Sequence, residues 1–169
     1  MRAYFGLLIS TLALSMAAAG SSVEPLGFAA QSQVAADDLV LGTWVLVVEK
    51  SKYDPGPAPR SQTRTYQAHP DGVKATIRTV DAKGHTSDIQ YTAKYDSVEY
   101  PVLGSVDSDT ITLKRVDEFT AEASLGHAGK VIGSAKRVIS KDGRTMTITY
   151  RGVSEGRDVN NVSVYERRP

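Results

Sequence analysis

Residues 42–59 read Gly42-Thr43-Trp44-Val45-Leu46-Val47-Val48-Glu49-Lys50-Ser51-Lys52-Tyr53-Asp54-Pro55-Gly56-Pro57-Ala58-Pro59. The first half has the composition of a strand, because β-branched and aromatic side chains fit a pleated, half-buried surface. It holds the single Trp of the chain. The second half places prolines at 55, 57 and 59. Proline fixes φ and lacks an N–H, so Asp54–Pro59 is expected as a stiff extended bridge rather than a tight hairpin. A large aromatic at the head of a first strand needs a deep place to bury. A meander that closes on itself offers one at its end.

Downstream of this stretch the texture is uniform. Short alternating runs rich in Val, Ile, Thr and Tyr are separated by turn clusters such as His69-Pro70-Asp71-Gly72, Asp81-Ala82-Lys83-Gly84, Gly126-His127-Ala128-Gly129 and Lys141-Asp142-Gly143. Asp-Gly and Gly-rich turns at this spacing are hairpin signals. Strands are predicted at 42–50, 61–68, 73–80, 88–95, 99–103, 110–116, 119–125, 130–140, 144–151 and 159–167. No segment between them has a period of 3.6. The expected fold is therefore all-β: an antiparallel up-and-down meander of 8–10 strands closed into a β-barrel, since closure removes the exposed edges. A two-sheet sandwich is the alternative, but it needs longer crossing connections.

Period-two alternation assigns an inner face. It carries Val73, Ala75 and Ile77, then Ile89, Tyr91, Ala93 and Tyr95, then Ile111, Leu113 and Arg115, then Phe119, Ala121, Ala123 and Leu125, then Met146, Ile148 and Tyr150. Two features of this face bear on function. Small residues recur on it (Ala75, Ala93, Ala121, Ala123, Gly133, Ala135), and these either leave a cavity or interleave with large neighbours into a solid core. Arginine also falls in the apolar phase, at Arg115 and at Arg137, which shares a phase with Val131, Ala135 and Ile139. A buried guanidinium is costly unless paired, and it can grip a carboxylate or phosphate by two parallel bonds. It can equally sit at a strand end with its head in solvent.

The start of the chain differs in kind. Met1-Arg2 supplies a positive charge, Phe5 to Met16 is nearly all apolar, and Ala17-Ala18-Ala19 ends the run with small residues. This order predicts a signal peptide over 1–19, a flexible leader over 20–36 and one barrel domain over 37–169, in an exported, periplasmic or secreted protein. The apolar run is short of the ~20 residues of a spanning helix, so no integral membrane segment is expected after cleavage. An uncleaved anchor is the alternative. The 169 residues carry a net charge of +1 and no basic stripe, which argues against nucleic acid as a partner. With no Cys, thiol chemistry, Cys-ligated zinc and iron–sulfur clusters are excluded.

Gly42-Thr43-Trp44 at the head of a meander resembles the lipocalin and calycin superfamily. That resemblance implies a structural pair, Trp44 packed across the closed end under Arg167 or Arg168. A longer set of segments is similar to a family of uncharacterised exported bacterial lipocalin-like proteins. These are Ser51 to Ser61, Tyr91-Thr92-Ala93-Lys94-Tyr95-Asp96, Tyr100-Pro101-Val102, Leu113-Lys114-Arg115 and Asp142-Gly143-Arg144-Thr145-Met146-Thr147. This second resemblance implies a fold and export, without an activity. The ends of the chain also resemble the fatty-acid-binding proteins, which open with Gly-Thr-Trp and close with an Arg-x-Tyr that grips a carboxylate. Here the triplet is Ser163-Val164-Tyr165, so Tyr165 matches and the Arg does not. Arg115 or Arg137 would have to replace it.

Dedicated catalytic signals are missing from the sequence. His69, His85 and His127 sit in or beside turns, with no metal-ligand spacing. There is no Gly-x-Ser-x-Gly, no His-Glu-x-x-His and no phosphate-binding loop. Neither a metal nor a cofactor is expected. The leading expectation is a barrel that binds a small hydrophobic or amphipathic ligand. Ile77, Tyr91, Ala93, Tyr95, Leu113, Ala123, Met146, Ile148 and Tyr150 would line the cavity, with Arg115, Arg137 and Tyr165 as the polar anchor. The second is a cofactor-free isomerase, cyclase or lyase using the interior Tyr and Arg groups. The third is a solid barrel acting through its outer surface as an interaction or envelope-associated module.

Overall fold

The computed structural model describes residues 38–169 apart from position 155. The expected signal peptide and leader lie outside the described residues.

Ten antiparallel strands follow one another in chain order: β1 (Gly42–Leu46), β2 (Ser61–His69), β3 (Gly72–Val80), β4 (Thr86–Ala93), β5 (Tyr100–Leu103), β6 (Thr110–Arg115), β7 (Thr120–His127), β8 (Lys130–Ile139), β9 (Thr145–Ser154) and β10 (Arg157–Arg167). Each pairs with its neighbours in sequence, and β1 also pairs with β10, which closes the barrel. The closing register sets Trp44 opposite Arg167 and Leu46 opposite Tyr165. The expectation of an all-β closed meander holds.

The first strand is shorter than the sequence suggests. After Leu46 the chain makes a 3₁₀ turn over Val48–Lys50 instead of continuing as strand to 50. It then rejoins β10, where Lys52 and Val162 exchange N–H···O bonds of 2.7 Å each. Ser51 makes the excursion tolerable. Its hydroxyl accepts the Val164 N–H at 2.9 Å and donates to the Val47 carbonyl at 2.8 Å. The proline-rich connector is thus tied to β10 at its start: Asn160 N–H donates to the Asp54 carbonyl at 2.7 Å.

One phase prediction fails for a definable reason. On β8, Gly133 pairs with Leu125 and Val131 with Gly126, leaving Ile132 as an extra residue between them. This bulge flips the alternation. Val131 is 73% exposed, and Ile132 turns inward. Gly133 does not open space either. It lies opposite Gly152, and a Cβ on Gly133 would come within 2.5 Å of the Tyr150 hydroxyl. The two glycines form the bed for the Tyr150 ring.

The end of the barrel carrying the β8–β9 turn is filled. Trp44, Val73, Ala93 and Met146 are fully buried there, in a core shared with Val40, Tyr165 and Ile139. Trp44 Nε1 donates to the Val40 carbonyl at 2.8 Å. Arg167 lies over the indole, 4.3 Å from its centroid. It donates to the carbonyls of Gly143 (2.7 Å), Leu41 (2.5 Å) and Leu39. Gly42, at φ +120°, leaves the room: a Cβ there would sit 2.9 Å from Arg167 Nη1.

Candidate functional site

The other half of the barrel is hollow. A cavity of about 340 Å³ opens toward the β5–β6 loop and the β9–β10 hairpin. This is the lower range of small-molecule sites. Its walls are apolar, with Ile77, Ile89, Ile111, Leu113, Ala123 and Ile148 facing inward. Small residues on β7 and β8 leave the space open, as Ala121, Ala123 and Ala135 stand where larger side chains would meet across the barrel. The mouth is polar: Ser105, Asp107, Ser108, Ser154 and Asn161 reach it, and Ser154 Oγ donates to Asp107 at 2.7 Å.

The inner end of the cavity is neither apolar nor neutral. Gln62, Arg64 and Tyr66 point in from β2, Tyr91 from β4 and Arg137 from β8. Arg64 Nε lies 3.1 Å from both Gln62 Oε1 and the Tyr165 hydroxyl, and Nη1 lies 3.5 Å from the Tyr66 hydroxyl. The Tyr165 hydroxyl in turn donates a hydrogen bond to Gln62 Oε1. Arg137 is 9% exposed. Its Nη2 donates to the Tyr95 hydroxyl at 2.7 Å, and the guanidinium carbon stands 5.5 Å from the Tyr66 ring centroid. Its Nε is buried and has no hydrogen-bond partner among the described residues. No ion pair involves Arg64 or Arg137 among the described residues.

Both guanidinia remain cations. Burial works against the charge, but the phenol oxygens of Tyr165 and Tyr66 beside Arg64, and of Tyr95 and Tyr66 beside Arg137, outweigh it. The same field acts on the phenols. Burial pushes the Tyr66 hydroxyl up, and the charges of Arg64 and Arg137 more than reverse this, so Tyr66 titrates below the ordinary tyrosine value. Tyr91 is moved the other way, chiefly by burial.

Of the residues expected to line a site, the cavity brings together Ile77, Tyr91, Leu113, Ala123, Arg137, Ile148 and Tyr150. Ala93 and Met146 belong to the filled end instead. Tyr95 sits behind Arg137 and Tyr165 behind Arg64, each as a hydrogen-bond partner. Arg115 is spent elsewhere. It forms an ion pair with Asp38, whose side chain is 3% exposed, and lies 4.1 Å over the Tyr95 ring. The residues missed by sequence reasoning are Gln62, Arg64 and Tyr66. They share one phase of β2, but two of the three are polar, so the strand shows no apolar face to read.

The three histidines are exposed, His69 and His127 as the last residues of β2 and β7 and His85 just before β4, and among the described residues no group of three His, Cys, Asp or Glu could hold a metal ion. No helix among those residues is long and apolar enough to cross a membrane. Compared with family models and with curated proteins, the chain matches none.

Proposed function

We propose that this protein is a calycin-like barrel that binds one small amphipathic ligand in its interior. The observation that supports this reading is the cavity itself: apolar walls, a polar mouth and a small group of convergent polar side chains at its inner end. Such a lining is the usual composition of a small-molecule site. It also argues against the solid-barrel reading, in which the outer surface would do the work. We further propose export to the periplasm or beyond, on the strength of residues 1–19, and cell fractionation would test it: a cytoplasmic pool of unprocessed chain would overturn this part.

The test of binding is native mass spectrometry on protein recovered from cells without denaturation, with solvent extraction of whatever it carries. An adduct of a few hundred daltons that is lost on unfolding is the expected result. A clean mass, with no uptake when the protein is offered amphipathic compounds, would sink the reading.

One observation favours a second reading. Tyr66 has its hydroxyl 3.5 Å from Arg64 Nη1 and its ring beside Arg137. In its ionised form a phenol so placed can take the substrate proton and become neutral, and the two guanidinia can stabilise the enolate left behind. This would make the barrel a cofactor-free isomerase, cyclase or lyase. Conversion of the extracted ligand by the wild type, lost in Tyr66→Phe with binding retained, would decide for the enzyme.

A further inference from the structure

The charges at the inner end of the cavity do not balance. Arg64 and Arg137 both carry a full positive charge, and both line the same cavity. Neither has a carboxylate partner among the described residues. The contrast with Arg115 is informative, because the chain does supply a buried carboxylate, Asp38, to that arginine. Buried cations are ordinarily paired, and an unpaired one costs several kcal/mol. What surrounds Arg64 and Arg137 is instead a set of neutral acceptors. The phenols Tyr66, Tyr95 and Tyr165 and the amide of Gln62 receive single bonds from them. These hold the two planar forks in place without neutralising them. The unpartnered Nε of Arg137 shows that its donors are not saturated by the protein.

Resting on the binding reading above, we propose that the ligand is an amphipathic acid whose anionic head lies between Arg64 and Arg137 and whose apolar body lies against Ile77, Ile111, Leu113 and Ile148. The two guanidinia supply charge-assisted donors to one carboxylate or other oxyanion. The wall chemistry demands the apolar body.

Decanoate and 1-decanol differ in the head group alone, and titration calorimetry on the full chain at neutral pH compares them. Decanoate is expected to bind at least tenfold more tightly than 1-decanol. Arg137→Leu and Arg64→Leu should each weaken decanoate at least tenfold and leave 1-decanol within about threefold. The retained alcohol binding certifies that the variants are folded and hollow. If a leucine variant does not fold, the preference of the wild type for acid over alcohol decides alone. Equal binding of acid and alcohol overturns the acid inference and leaves the binding reading intact. Binding of neither overturns both. Decanoate affinity unchanged in folded Arg64→Leu and Arg137→Leu proteins would place the head group elsewhere and overturn the site.

Discussion

Arg167 and Arg137 both stand near aromatic rings, and they are used in opposite ways. Arg167, over Trp44, gives its donors to three backbone carbonyls from two separate segments of chain. It joins the residues before β1 to the β8–β9 turn and closes one end. Arg137, beside Tyr66 and Tyr95, gives one hydrogen bond to a neutral hydroxyl and leaves Nε without a partner among the described residues. Arg137 is the more deeply buried and Arg167 is half-buried, but the neighbouring ring does not distinguish them. The difference is saturation. Arg167 bonds a backbone carbonyl through each of its three nitrogens and acts as a fastener, whereas Arg137 is held in place but left short of acceptors, as the proposed anion site requires.

The sharpest way to break this comparison is at the closed end. Trp44→Ala removes a fully buried indole from a packed core, and it also strips Arg167 of its platform. The expected loss is ~3–5 kcal/mol, read as a lower denaturant midpoint with an unchanged slope. A loss below 1 kcal/mol would mean that the end is not closed by this residue.

The next step sets the two arginines directly against each other. Arg167→Met leaves the carbonyls of Leu39, Leu41 and Gly143 without their donor and should cost ~1.5–3 kcal/mol. Arg137→Met removes a buried charge with no counter-ion among the described residues and puts an apolar side chain of similar reach in its place. In the absence of ligand it should leave stability unchanged or raise it by about 1 kcal/mol. Thermal melts of the three proteins side by side would settle it. An Arg137→Met loss equal to that of Arg167→Met would make both arginines fasteners and remove the contrast.

Sequence reading divides along the same line. The filled end was legible because it is made of ordinary signals: a strand that starts on Gly-Thr-Trp, hairpin turns at regular spacing, and alternating apolar phases in β3, β4, β6 and β9. The inner end of the cavity was legible through Arg137, which intrudes on an apolar phase, and through the phased tyrosines Tyr91, Tyr95 and Tyr165. Arg64 and Tyr66 went unread because β2 has Gln and Arg on its inner face and Thr on the outer one, so alternation carries no contrast. Arg115 looked equivalent to Arg137 in phase, yet it meets Asp38, a residue 77 positions away in sequence that no local pattern couples to it. The bulge at Ile132 reversed Val131 for a similar reason, since register slips are set by pairing across strands.

The finest test of the comparison uses protons. Arg64 faces Tyr66 from its own strand and Arg137 faces it from β8. Tyr91 on β4 interacts with it electrostatically, and Tyr95 and Tyr165 complete the surroundings, with the Asp38–Arg115 pair beyond Tyr95. The flanking β1 and β3 positions, Gly42 and Ala75, carry no charge. Tyr66 therefore ionises below the usual value of 10.0, and Tyr91 above it. Their effects on stability oppose. A depressed folded value for Tyr66 adds stability as pH rises toward 10, and a raised one for Tyr91 withdraws it above 10. Unfolding is thus a poor readout, and ligand affinity is a clean one. A Tyr66 phenolate would place negative charge where the proposed acid puts its head, so each must exclude the other. Decanoate should weaken as pH rises from 7 toward 10, by no more than about tenfold per pH unit, while 1-decanol stays flat. Tyr66→Phe should abolish the slope and keep the affinity. Arg137→Met should shift its onset upward, because one of the two charges that favour the phenolate is gone. A slope that survives in Tyr66→Phe would assign the proton to another group and leave the two arginines to act on the ligand without Tyr66.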